Sequence, residues 1–257
     1  MFYSIKRRIK SYLISRFNLN QQNAQSEIHA EFPVDFTEEE KEIIRKVKQY
    51  TMTSNERMVA LARAVDYIEM NNIQGEIVEC GVWRGGSMML TAYKLMEHKN
   101  TNRNLFLFDT FEGMTEPSDF DRLSSNNKDA QSLYEETKYT PLSGWCMASL
   151  EEVKKNLEST NYPQTNIHFI KGKVEETLPH NEIKKISILR LDTDWYESTK
   201  CELEILFDKL EPGGVLIIDD YGHWTGAKKA VDEFFKQNKI TMFLNRIDYT
   251  GRLGIKR

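Results

Sequence analysis

A chain of 257 residues, 40% hydrophobic and 29% charged, has the composition of a globular protein with one large core rather than a disordered or fibrous chain. Its formal net charge of −4 excludes the overall basic field that draws proteins to nucleic acid. Cys80, Cys146 and Cys201 lie far apart and form neither a disulfide framework nor a Cys-x-x-Cys zinc site, which fits the cytoplasm, and no apolar run approaches the ~18 residues of a membrane-spanning helix.

The chain opens with Lys6, Arg7, Arg8, Lys10 and Arg16 among Phe2, Ile5, Ile9, Leu13, Ile14 and Phe17 at helical spacing. This predicts an amphipathic helix that packs on its own domain or on a second subunit; weak membrane-surface contact by residues 1–20 is the alternative. No long apolar run or cleavage signal makes it a secretion leader. Residues 20–35, polar and broken by Pro33, read as a linker. Thr37 and Glu40 form a capping box that starts one helix. Ser54 starts the next, ahead of Met58, Leu61, Ala62, Val65 and Ile68. Residues 1–50 are thus expected to form a helical extension, with the main domain over 51–257.

Beyond Gly75 strands and helices alternate. Strands are expected at Glu76–Val82, Leu105–Asp109, Ile167–Lys171, Ile186–Leu191 and Val215–Asp219, with helices at 86–97, 149–159, 197–210 and 224–237. Two late strands, near Ile240–Leu244 and Gly251–Lys256, close the sheet. The alternation predicts an α/β fold, a mostly parallel sheet with helices on both faces, because parallel strands need crossover connections. Ligands in such sheets sit beyond the C-terminal strand ends. The polar segment 112–148 carries no clear strand, and a long insertion at that end reads as a lid or binding loop.

Glu79-Cys80-Gly81-Val82-Trp83-Arg84-Gly85-Gly86-Ser87 links the first strand to a helix. Small residues let a ligand approach the backbone, and free N–H groups at a helix start suit an anion. The run has neither the GxGxxG order of a dinucleotide fold nor the Gly-Lys-Ser/Thr of a phosphate loop. Glu79 repels a pyrophosphate but accepts from a cationic amine. Asp109, roughly 20–30 residues further on at the next strand end, is placed to hold two ribose hydroxyls; a cap or turn role is the alternative. After the third strand Val174 can lie against an adenine ring while Glu175 or a nearby amide meets its exocyclic nitrogen.

Asp192 ends the fourth strand, and Asp219 and Asp220 follow the fifth. If those strands are neighbours the three carboxylates converge, and they cannot all stay ionised without a cation or protons. Oxygen-only ligands suit a hard cation such as Mg²⁺; helix capping by one or two of the acids is the competing account. Such an ion lowers the pKa of an acceptor hydroxyl. Asp194, pointing the same way as Asp192 along an extended stretch, is the expected general base, and His223 is the second candidate.

Long stretches now resemble the macrocin O-methyltransferase family of sugar methyltransferases that use S-adenosylmethionine (SAM) and magnesium. They are Val78–Ser87, Phe108–Met114, Val174–Pro179, Leu189–Thr199, Ile218–Trp224 and Ile247–Gly251, and the likeness runs from about Thr51 to the end. The resemblance implies a class I, Rossmann-like methyltransferase fold with a seven-stranded sheet, and Mg²⁺ on Asp192, Asp219 and Asp220 with Asp194 as base. It also implies SAM contacts from Glu79 and Gly81, from Val82 and Ser87 in the same motif, and from Asp109 and Thr110 in the ribose motif, beside Val174, Glu175 and Asp192. Thr53 and Ser54 would fold over the cofactor. Homo-oligomers whose N-terminal segments complete the site are a further implication. The acceptor is expected to be a sugar hydroxyl on a nucleotide sugar, a polysaccharide or a glycosylated natural product. A catechol or phenol acceptor, or a catalytically silent SAM-binding partner protein, are the alternatives. A nucleic-acid substrate is excluded by the acidic charge and by the absence of a base-flipping Pro-Pro-Tyr-type segment.

Overall fold

The computed structural model describes residues 32–137 and 146–257. The basic N-terminal helix expected over residues 1–20 lies outside the described residues, as does 138–145 within the polar insertion. The chain divides into two compact units, Met1–Glu42 and Ile43–Arg257. In the first, the capping box forms as its spacing demands: Thr37 N donates to Glu40 Oε2 (2.9 Å) and Glu40 N to Thr37 Oγ1 (3.2 Å). It opens helix α1 (Glu38–Val47).

In the second unit, α2 (Asn55–Met70) starts at Ser54, whose hydroxyl accepts from Arg57 N (3.2 Å). There follow β1 (Glu76–Cys80), α3 (Gly86–Glu97), β2 (Leu105–Asp109), α4 (Ala130–Glu136), α5 (Leu150–Glu158), β3 (Ile167–Lys171) and α6 (Val174–Thr177). Then come β4 (Ile186–Leu191), α7 (Tyr196–Leu206), β5 (Leu210–Ile218), α8 (Thr225–Gln237), β6 (Asn245–Arg246) and β7 (Arg252–Ile255). The strands form one seven-stranded sheet in the order β3-β2-β1-β4-β5-β7-β6. The first five run parallel and the β6–β7 hairpin joins antiparallel to β5, so the sheet is mixed.

Alternation along each strand sends Val78, Cys80, Phe106, Phe108, Leu189, Leu191, Leu216 and Ile218 into one core cluster with Leu203 and Leu206 of α7 and Val231 and Phe234 of α8. Residues of the other parity, such as Ile77, Leu107, Ile188 and Ile217, are buried too, and α2 packs against β4 and β5. Burial on both faces is why these strands read as apolar runs. The order reverses between β1 and β4, where doubly wound sheets open a crevice. Register brings the strand ends into line there, with Cys80 opposite Phe108 and Leu191, and Leu191 opposite Ile218.

Several boundaries depart from expectation; the helix expected over 197–210, for example, is α7, which ends at Leu206. Strand β1 stops at Cys80 because Gly81 turns left-handed at φ 83°. Strand β5 begins at Leu210, five positions before Val215, because Leu210 pairs with Ile186 across a register shift. Ile240, Met242 and Leu244 pack against the core without forming a strand, which leaves β6 only two residues. The insertion holds α4 and two isolated bridges, Arg122 with Asp129 and Leu123 with Trp224. No helix of the described residues is long and apolar enough to cross a membrane.

Candidate active site

At the crevice the β1 and β4 ends meet so closely that a Cβ on Gly81 would lie 2.0 Å from the Asp192 carbonyl oxygen. Only glycine fits that approach at a positive φ. Asp109, at the end of β2, accepts from Val82 N (2.7 Å) and Trp83 N (3.1 Å) on Oδ2, and from Phe111 N (2.7 Å) on Oδ1. Its carboxylate therefore makes the turn given above as the alternative, through Phe111 N, and also fastens the glycine loop, which nothing in the sequence signals. Thr110 Oγ1 also lies 3.5 Å from Oδ1, but its single proton is better given to Gly113 O (2.6 Å), so about one of the roughly four acceptor positions stays available to a ligand. Burial raises its pKa against those hydrogen bonds.

A cavity of about 270 Å³ opens above these strand ends. Thr53, Gly81, Val82, Ser87, Asp109, Thr110, Val174 and Glu175 line it, together with Asp192, Asp194, Asp219, Asp220 and His223. Two candidates stand apart from its wall. Ser54 caps α2 and donates to Asp248 Oδ2 (2.7 Å), so its hydroxyl serves the fold. Glu79 is 1% exposed and paired with Arg190, yet its Oε2 has no hydrogen-bond partner among the described residues. Burial, opposed by Arg190, pushes its carboxyl up to about 7.

Asp192, Asp219 and Asp220 each offer an oxygen within 4.8 Å of the others. Asp220 Oδ2 is buried without a partner among the described residues, and burial with the Asp194 and Asp192 charges drives its pKa well above the carboxylate range. An all-oxygen cluster under that pressure fits a hard divalent cation. Two arginines already face it. Arg190 donates from Nη1 to Asp192 Oδ2 (2.7 Å) and from Nη2 to Asp219 Oδ1 (2.6 Å), while Arg57 pairs with Asp219 Oδ2 and, through Nε, with Asp248 Oδ2 (3.0 Å). Neither arginine was singled out from the sequence. Arg190 had left a signal, as the one charged residue in the apolar run Ile-Ser-Ile-Leu-Arg-Leu of a central strand.

Asp194 reaches the cavity by a different route from the one expected. Its backbone is left-handed (φ 69°) rather than extended, so strand alternation with Asp192 does not orient it. Trp224, buried on the loop before α8, aims it instead by donating from Nε1 to Asp194 Oδ1 (2.8 Å). Burial and the Asp192 charge push its carboxyl up to about 7. His223 meets the Tyr249 hydroxyl at Nδ1 (3.2 Å), and burial with the Arg57 charge lowers its pKa, favouring the neutral ring.

A parallel sheet with an antiparallel closing hairpin, and a glycine loop and strand-end acids around one crevice, define a Rossmann-like class I methyltransferase. The family model described as Macrocin-O-methyltransferase (TylF) matches residues 4–253, and the chain belongs to that family. It is a SAM-dependent O-methyltransferase. A relative from Streptomyces olivaceus, 8-demethyl-8-(2,3-dimethoxy-alpha-L-rhamnosyl)-tetracenomycin-C 4'-O-methyltransferase, is 32% identical over 202 residues, 79% of this chain and 74% of that one. Demethyldecarbamoylnovobiocin O-methyltransferase from Streptomyces niveus is likewise 32% identical over 202 residues, again 79% and 74% of the two chains. Among solved structures the O-methyltransferase NovP superposes with a TM-score of 0.71 at 29% identity, covering 80% of this chain and 82% of its own.

Proposed function

We propose that this enzyme methylates a sugar hydroxyl and that it requires Mg²⁺ held by Asp192, Asp219 and Asp220. The observation that carries the metal is the convergence of three carboxylate oxygens within 4.8 Å, one side chain of which keeps a buried oxygen without a partner among the described residues. The sugar acceptor rests on kinship, since the S. olivaceus relative is named for a rhamnosyl-bearing substrate. In this reading SAM supplies the methyl group and Mg²⁺ supplies Lewis-acid polarisation of the acceptor hydroxyl.

The chain's own residues do the rest. Gly81, Val82, Ser87 and Thr53 line the methionine end, and Glu79, just behind that wall, offers its spare buried oxygen to the α-ammonium. Asp109 takes a ribose hydroxyl on its remaining acceptor position, next to Thr110, while Val174 and Glu175 meet the adenine. Asp194, held by Trp224 at the cavity beside the metal cluster, takes the acceptor's proton as general base. His223, neutral and partnered by Tyr249, orients the sugar. Residues 1–50 form an extension to the catalytic domain of 51–257, and the enzyme works as a homo-oligomer.

Turnover with a panel of nucleotide sugars and glycosylated acceptors, with and without EDTA, tests this. EDTA should abolish methylation and added Mg²⁺ restore it, and Asp219→Ala should lose activity and metal dependence together. Full activity in EDTA would refute the metal centre. Transfer to phenols but to none of the sugars would refute the acceptor class.

A further inference from the structure

Arg190 is a charged side chain 3% exposed inside a parallel sheet. Burying a guanidinium is strongly unfavourable unless its donors are fully partnered, so its partners reveal its task. They come from four parts of the chain. Nη1 pairs with Glu79 at the end of β1 and with Asp192 Oδ2 just past β4 (2.7 Å). Nη2 donates to Asp219 Oδ1 just past β5 (2.6 Å) and to Thr53 Oγ1 on the segment before α2 (3.0 Å). Register makes this reach possible, because Arg190 sits opposite Glu79 on one side and Ile217 on the other.

We infer that Arg190 is a positioning residue that holds the cofactor-binding and metal-binding groups in one fixed relation while touching neither ligand. The inference rests on the proposed cofactor and metal sites. Two of its partners, Glu79 and Thr53, belong to the methionine end of the cofactor site, and two, Asp192 and Asp219, belong to the metal site. Unlike Glu79, which keeps a spare oxygen, Arg190 donates twice from each Nη to these four partners, and it does not line the cavity. In-line methyl transfer depends on the distance between donor and acceptor, and misplacement by about 1 Å can cost roughly 100-fold. One planar fork gripping both sites sets that distance. Lysine carries the same charge but a single nitrogen with no fork, so it cannot span the four partners.

The test is titration of Mg²⁺ and, separately, of S-adenosylhomocysteine into wild-type and Arg190→Lys protein, with thermal unfolding as a control for folding. Groups that orient metal ligands from behind typically account for 10–100-fold in affinity. Arg190→Lys should therefore weaken Mg²⁺ by roughly 10-fold or more and weaken S-adenosylhomocysteine as well, in protein that still unfolds cooperatively. Loss of affinity for only one ligand, or for neither, would overturn the inference. If Arg190→Lys fails to fold, Thr53→Val decides: it removes one partner without changing charge and should weaken Mg²⁺ several-fold although Thr53 is not a metal ligand. An unchanged Mg²⁺ affinity there would overturn the inference. Failure of the underlying reading shows separately, as wild-type protein that binds no Mg²⁺ or no S-adenosylhomocysteine, and takes the inference with it.

Discussion

Replacing Asp194 by asparagine should make the metal-free protein more stable at neutral pH while removing its turnover. The amide keeps the carboxylate's shape and leaves Oδ1 to accept from Trp224 Nε1, 2.8 Å away in the wild type. What it removes is a carboxyl whose pKa is raised from 3.8 to about 7 by burial and the Asp192 charge. The sign follows from proton linkage. Below about pH 4 the carboxyl is protonated in folded and unfolded chains alike; from there to about pH 7 the unfolded chain has released the proton and the folded chain keeps it. Wild-type stability therefore falls as pH rises through that window. At 1.36 kcal/mol per pH unit the full effect would be about 4 kcal/mol, and solvent screening at the cavity reduces it to about 2 kcal/mol. Urea unfolding in EDTA at pH 4.5 and pH 8 measures it, and the stability difference should shift toward the variant by about 2 kcal/mol between the two. Turnover should fall roughly 10²–10⁴-fold, the range for a lost general base. A shift in the wild type's favour would refute the electrostatic account of the site, and intact turnover would remove Asp194 from the proton transfer.

Gly81→Ala places a methyl where the Asp192 carbonyl oxygen lies 2.0 Å away, at φ 83°. It should cost at least about 2 kcal/mol and abolish S-adenosylhomocysteine binding; a wild-type melting temperature would show that the strand ends do not meet this closely. Ser54→Ala should cost about 1 kcal/mol through the lost helix cap yet leave S-adenosylhomocysteine affinity within about twofold. A collapse of that affinity in calorimetry would mean that Ser54 touches the cofactor after all.

The frame of this protein was legible in its sequence because its signals are local. The runs Leu105–Asp109, Ile167–Lys171 and Ile186–Leu191 mark strands with the same limits in the fold, the first and last of them buried and the middle one at the sheet edge. Thr37 with Glu40, and Ser54, announce helix starts that the hydrogen bonds bear out. Asp192, Asp219 and Asp220 were recognisable as a group because each stands where a parallel strand ends, and adjacent parallel strands end on the same side. Tertiary structure decided what depends on contacts across the chain. Asp194 is aimed by Trp224, 30 residues away, and not by strand alternation with Asp192, since its own backbone is left-handed. Ser54 is drawn out of the cavity wall by Asp248, a partner 194 residues distant. Arg190 showed in sequence only as a charge in a greasy strand, since its partners come from β1, β5 and the segment before α2. A local pattern is set by the covalent chain and its helical or extended period, whereas a guanidinium's partners are set by which strands lie side by side, and that order exists only once the sheet has formed.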